Sequence, residues 1–204
     1  MKKTIISLLT LFTFASATDG CILEQSDDIN VTWKAYKTLA KLGVSGQFTG
    51  VNHTPNKKSG KNFKEIFVGS MVNIDVSKID TGDASRDKTL VKWFFSKLYG
   101  ETIEGKIVDI EENKRVDKGA RTGVIDVKIT MNKKTLIVPM SYHYNKGDFR
   151  ATGTIDLFDF AGSNALASLN KSCYDLHEGK TWNDVTIEFR TNIKATLCDV
   201  KIKK

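Results

Sequence analysis

The chain has 204 residues, 40% of them apolar, and carries a formal charge of +7 from 31 basic and 24 acidic side chains. That length suits one ordinary domain with a real core, and only 2 prolines exclude Pro-rich linkers. The basic residues are scattered over turns and strand faces, as at Asn56-Lys57-Lys58 and Asn132-Lys133-Lys134. They form no stripe interleaved with exposed aromatics, which argues against a nucleic-acid partner.

Lys2 and Lys3 precede an apolar run from Ile5 to Phe14, and Ala15-Ser16-Ala17 supplies an A-x-A cleavage site. This is the pattern of a secretory signal peptide over residues 1–17, followed by one domain over 18–204. The run falls short of the roughly 20 apolar residues that a membrane span needs. A lipoprotein acylated at Cys21 is the rival reading, but Thr18 stands where a lipobox has Leu. Loss of Lys2 and Lys3 from the 31 basic residues leaves a mature charge of +5. The expected product is soluble and periplasmic or secreted. Cys21, Cys173 and Cys198 allow at most one intramolecular disulfide and one spare thiol.

In chain order, Cys21 to Glu24 is extended and Ser26-Asp27-Asp28 reads as a turn. Val31, Trp33 and Ala35 then alternate with polar neighbours, the period of a half-buried strand. A second strand spans Leu42 to Phe48, with Val44, Gly46 and Phe48 on one face. The polar stretch from Asn52 to Asn62 reads as a loop, and Asn62 to Ser70 as a short helix burying Phe63, Ile66 and Phe67. Val72, Ile74 and Val76 predict the next strand. A turn from Asp80 to Ser85 follows, then a helix capped by Asp83 or Ser85 with Leu90, Val91, Phe94, Phe95 and Leu98 on one face. Arg86 and Asp87, at the corner, read as a structural ion pair.

Beyond that helix come strands with Ile103, Gly105 and Ile107, then Ile125 to Met131, then Leu136 to Tyr144. Hairpin turns lie at Asn132-Lys133 and Asn145 to Asp148. Phe149 to Leu157 is a further strand. Ser163 then caps a second helix with Ala165, Leu166, Leu169 and Cys173 on one face. Leu176 to Trp182 reads as a loop, and Val185, Ile187, Phe189 and Ile193 mark the last strand. Eight long strands, mostly hairpin-linked, predict a mainly β fold: an eight-stranded antiparallel barrel with two or three short helices over its ends. A two-sheet sandwich is the structural rival.

Candidate chemistry is sparse. His53, His143 and His177 have no metal-ligand spacing, and the sequence holds no nucleophile elbow, phosphate loop or close Cys–His pair. The chain therefore reads as a non-enzyme without catalytic cofactor or metal. Asn30 and Asn52 fall in short glycosylation-like patterns that arise readily by chance. The positive signal is the apolar interior: Trp33, Phe48, Phe94, Phe95 and Leu98 in the first half. Met131, Met140, Tyr142, Phe149, Leu166 and Phe189 follow in the second. These fit either a filled core or the walls of a pocket.

Several of these stretches resemble one family. Ile79-Asp80-Thr81, Arg86-Asp87, Leu90 and Phe94-Phe95 are similar to the signature of the YceI-like, polyisoprenoid-binding proteins. Gly43-Val44-Ser45-Gly46-Gln47-Phe48 and Phe158-Asp159-Phe160 extend the resemblance, which covers about Trp33 to Phe189. It implies a lipocalin-like barrel around a long apolar ligand in the bacterial periplasm. The implied function is a carrier for a polyisoprenoid, an isoprenoid quinone or a fatty acyl chain, with the eleven side chains just named as pocket candidates. It also implies a bound lipid, transient contact with a membrane surface, and a monomer or homodimer. The Ser163 to Cys173 helix and the His177 to Trp182 loop depart from the minimal family pattern and would narrow or lid the pocket. The alternative is a structural or interaction protein with a filled barrel whose 163–182 segment binds a periplasmic partner. Phe94 and Phe95, adjacent on a helix, are expected to differ, one in the core and one in the pocket. If the first and last strands pair with Trp33 opposite Thr186, Cys21 falls opposite Cys198, the favoured disulfide. Cys21–Cys173 is the alternative.

Overall fold

A computed structural model describes residues 21–114, 120–177 and 179–196. The leader at 1–17 and Cys198 lie outside the described residues. The chain opens with strand β1 (Ile22–Lys37), which folds back through a tight turn into β2 (Leu42–Phe48) and then β3 (Val51–Thr54). The short β4 (Ser59–Gly60) leads into helix α1 (Phe63–Phe67) and β5 (Met71–Asp75). β6 (Ile79–Asp80) precedes helix α2 (Ala84–Trp93). A meander follows: β7 (Thr102–Glu112), β8 (Arg121–Met131), β9 (Lys134–Asn145) and β10 (Asp148–Asp156). Helices α3 (Ser163–Ser172) and α4 (Tyr174–His177) come before the last strand, β11 (Thr181–Thr196).

All pairings are antiparallel, in the order β3-β5-β7-β8-β9-β10-β11-β1-β2-β6. The first and last long strands meet, so the sheet curls into a barrel rather than splitting into a sandwich. No ladder joins β2 to β5. The seam is bridged by the chain itself at Thr49 and Gly50: the Thr49 N–H donates to the Lys78 carbonyl and the Asp75 N–H to the Gly50 carbonyl, each at 2.9 Å.

The local chemistry explains the connections. Asn132 and Lys133 both take positive φ, 51° and 61°, as a two-residue turn that follows strand twist requires. The Asn132 side chain also donates to the Phe160 and Ala161 carbonyls and accepts from the Tyr99 N–H, tying three segments together. β8 buries Gly123, Ile125, Val127, Ile129 and Met131 and turns Val124 and Lys128 outward, the alternation that fixes its register.

Several expectations are corrected. Ser26 to Asp28 is a bulge within β1, not a turn, because both flanks stay paired to β11. Trp33 lies opposite Ile187, one residue from the expected Thr186, and the bulge then resets the pairing so that Ile22 faces Thr196. The stretch from Asn52 to Asn62 holds the end of β3 and all of β4. The strand from Met71 ends at Asp75, whose side chain accepts from the Ser77 N–H and opens a 3₁₀ turn. Ser163 is the first helical residue, and Gly162 takes the cap position without a side-chain bond. The expected loop from Leu176 to Trp182 contains part of α4 and the start of β11. Arg86 pairs with Asp83 at 3.6 Å, and Asp87 instead accepts from the Thr81 N–H and hydroxyl at 2.9 and 2.6 Å. Cys173 is a buried free thiol, which overturns the Cys21–Cys173 alternative.

Candidate functional site

One end of the barrel is sealed by aromatic rings. Asn62 caps α1 by accepting from the Glu65 N–H at 2.9 Å, and the Glu65 carboxylate accepts from the Lys61 N–H at 3.0 Å. The helix thereby points Phe63, Ile66 and Phe67 into the barrel, where each is at most 2% exposed. Phe67 meets Phe149 at 4.5 Å between centroids, and Phe149 stacks on Tyr142 at 5.1 Å. The Arg121 guanidinium lies 3.7 Å from the Phe63 ring centroid and pairs with Glu112.

The other end is covered by the segment after α2 and by α3. Asp83 caps α2 through the N–H groups of Ser85 and Arg86, which hold its carboxyl below the usual carboxylate range. The helix ends at Trp93; Phe94 caps it in the right-handed helical region, donating its N–H to the Leu90 carbonyl, and a 3₁₀ turn follows at Phe95–Lys97. Phe94 and Phe95 pack edge to face at 5.1 Å, and Phe95 meets Phe48 at 6.1 Å. Leu166 and Leu169 reach down from α3 to complete this cover.

Between the two ends the side chains leave space. One chamber of about 120 Å³ lies toward the α1 end. A second, of about 110 Å³, lies under Phe94, Phe95, Leu166 and Leu169. They share Trp33, Phe48, Ile103, Met131, Ile155 and Ile187, which form the waist between them. The interior thus keeps apolar space that a wholly filled barrel would lack. Gly46 makes the waist possible: a Cβ there would stand 2.5 Å from the Trp33 Cζ2, so only glycine lets the indole lie across it.

Of the candidate side chains, Trp33, Phe48 and Met131 border both chambers. Met140 and Phe189 border only the first, and Phe94, Phe95 and Leu166 only the second. Phe94 and Phe95 therefore do not divide into core and pocket. A 3₁₀ turn begins at Phe95, directly after the Phe94 cap, and both rings border the same chamber. Tyr142 and Phe149 belong to the aromatic seal, and Leu98 packs against the core without bordering either chamber. The sequence reading missed His53 and the aliphatic wall formed by residues such as Ile103, Ile155 and Ile187. His53 sits in β3, where its alternation with Val51 was the available signal.

The accessible surface of the chamber walls is almost wholly apolar. His53 Nε2 and Trp33 Nε1 are buried without a hydrogen-bond partner. Burial lowers the His53 pKa from its ordinary 6.5, against a weaker upward pull from Asp27. Neither chamber is bordered by a lysine or arginine. Among the described residues no group of His, Cys, Asp and Glu is arranged to hold a metal ion.

Comparison with known proteins places this geometry. Residues 24–193 match the YceI-like domain family. A polyisoprenoid-binding domain from Saccharophagus degradans, implicated in plant cell wall breakdown, has a similar fold, with TM-score 0.58 at 9% identity over 87% of this chain and 99% of that one. BcnA of Burkholderia cenocepacia gives TM-score 0.51 at 16% identity over 81% of this chain and 96% of its own. The Campylobacter jejuni YceI protein gives 0.51 at 16% identity over 76% and 85%. No curated protein sequence matches the chain. The family match spans most of the chain, and the barrel agrees with it: the protein belongs to the YceI-like family.

Proposed function

We propose that the protein is an exported carrier that sequesters one long apolar molecule, a polyisoprenoid, an isoprenoid quinone or a fatty acyl chain, and performs no catalysis. The observation that carries this is the interior itself: two apolar chambers joined at a waist, sealed by rings at one end and covered by helices at the other. Packed interiors rarely leave such voids, because each lost contact costs stability. A slender chain threading the waist would use both chambers, and each methylene buried stabilises by roughly 0.8 kcal/mol. The Saccharophagus degradans relative supports the ligand class. Residues 1–17 support export to the periplasm. Loading from a bilayer would use the barrel end where Leu39, Leu42, Tyr174 and Leu176 stay exposed near Lys37, Lys41 and Lys180. A Cys21–Cys198 disulfide would fasten β1 to β11, since their pairing runs out to Ile22 and Thr196 and Cys173 is free.

The test is affinity against chain length, using delipidated protein and a series of saturated or prenyl chains. Affinity should rise about fourfold per methylene until the interior is full and then level off. No binding, or affinity independent of length, contradicts the carrier reading.

A further inference from the structure

The cover over the second chamber has two parts that are held differently. α3 is anchored by three buried side chains, Ala165, Leu166 and Leu169. α2 buries no residue, and only its Leu90 borders the chamber. The segment holds to the barrel through the two rings that follow it, Phe94 and Phe95. Among the described residues, no strand ladder includes any position from 81 to 101. Asp87 latches the first turn of α2 to Thr81, and the Tyr99 N–H latches the far end by donating to the Asn132 side-chain oxygen at 2.7 Å. Glycines stand just outside both latches. Gly82 and Gly100 take positive φ, 72° and 88°, and a Cβ on either would meet nothing within 4 Å. Packing requires neither glycine, and their backbone freedom lets the chain pivot at both ends of the segment.

The rim beside this cover suits a lipid surface. Trp182 borders the same chamber and donates its indole N–H to the Thr38 carbonyl at 2.7 Å, which fixes the β1–β2 turn next to it. Leu39 and Leu42 project from that turn, and Leu176 from α4, all well exposed. Lys41 Nζ and Lys180 Nζ stand 4.4 and 4.3 Å from the Trp182 ring. Asp184 pairs with Lys41, but among the described residues no carboxylate pairs with Lys180. Exposed leucines set among aromatic rings and lysines are the composition of an interfacial anchor, and the cations favour an anionic bilayer.

Resting on the carrier reading, we propose that this rim docks on an anionic lipid bilayer and that residues 83–99 are the lid that opens there. In water an open lid would expose both phenylalanine rings, so the segment stays shut. Against a bilayer the rings pass to the acyl chains instead, and that cost falls away. A chain then enters or leaves the second chamber between the barrel and the lifted segment, while α3 keeps its place. The opposite end, stacked with Phe63, Phe67, Phe149 and Tyr142, stays closed.

Co-sedimentation with vesicles of phosphatidylcholine, with and without phosphatidylglycerol, tests the docking. The protein should bind the anionic vesicles roughly tenfold more tightly, and Lys180→Glu should lose most of that advantage. The double variant Leu39→Ser with Leu176→Ser should bind both vesicles more weakly; all these positions lie on the surface, so melting should be unchanged. Pulsed electron spin resonance follows the lid, with nitroxides on Lys88→Cys in α2 and Lys128→Cys in β8, both exposed, and mass spectrometry confirming two labels per chain. Their separation should lengthen on anionic vesicles alone, while the pair Asn164→Cys and Lys128→Cys, which reports α3, stays fixed. Equal binding to the two vesicles, or none to either, overturns the docking surface. A dimer in solution that the leucine variant dissociates assigns the face to a second copy and overturns it too. Binding with an unmoved Lys88 label overturns the lid. Each of these leaves the carrier standing when the unaltered protein takes up a prenyl chain delivered from cyclodextrin. Failure of that uptake overturns the carrier reading and the lid with it.

Discussion

Phe94→Ala and Phe95→Ala should weaken the fold by similar amounts. Both rings are nearly buried, at 7% and 9% exposure, and both border the second chamber. Removing either ring opens about 100 Å³, and at about 24 cal/mol per Å³ the cavity alone costs about 2.4 kcal/mol. The transfer cost of the lost ring would carry a close-packed site toward 3–5 kcal/mol. Here part of each ring faces a chamber of about 110 Å³ and has fewer atoms to lose, so about 2–3 kcal/mol is expected. The chamber would roughly double, so a ligand with a bulkier end should recover part of the loss by binding the native state. Urea unfolding followed by circular dichroism, with and without an added prenyl chain, measures both effects. A difference between the variants of more than about 2 kcal/mol, or a cost below about 1 kcal/mol for both, would refute the shared-wall geometry.

Asn62→Ala removes the cap of α1 and should cost about 1 kcal/mol in chemical denaturation; no loss would show that the aromatic seal holds α1 without it. Asp75, Asp80 and Asp83 are held below their ordinary value of 3.8 by hydrogen bonds from Ser77, from Gln47 and Gly82, and from Arg86 and Ser85. Depressed carboxyls bind fewer protons folded than unfolded, so their contribution is complete above pH 3.8 and is lost as the pH falls through the lower folded values. The melting temperature should drop across that window, and a flat acid limb contradicts the assignment. Non-reducing peptide mapping should return Cys21 linked to Cys198, with Cys173 alkylated only after unfolding; a Cys21–Cys173 peptide would overturn the proposed bridge.

The long strands and both main helices were legible because their apolar residues recur at the periods that bury one face, as in Ile125 to Met131 and in Ala165 to Leu169. Irregularities were not. The Ser26 to Asp28 bulge looks like a turn because its polar side chains face solvent, while the backbone pairing that keeps it in the strand leaves no mark on side-chain type. That bulge also decides the register on which the cysteine argument depended. β3 was hidden for a related reason: in Val51-Asn52-His53-Thr54 only two residues face inward, and one of them is a histidine. Large side chains were recognisable as interior, but whether a ring lines space or fills it depends on neighbours distant in sequence. Tyr142 and Phe149 pair with Phe63 and Phe67 and close the barrel, whereas Met131 and Phe48, equally apolar, border the waist.

The central claim is that the barrel carries a chain. Native mass spectrometry of the protein gently purified from its native source tests this most directly. The account predicts a one-to-one adduct of a few hundred daltons or more, released into organic solvent and identified there as a long-chain lipid. A well-folded protein at its bare polypeptide mass, yielding no lipid on extraction and taking up none when chains are added back, would contradict it.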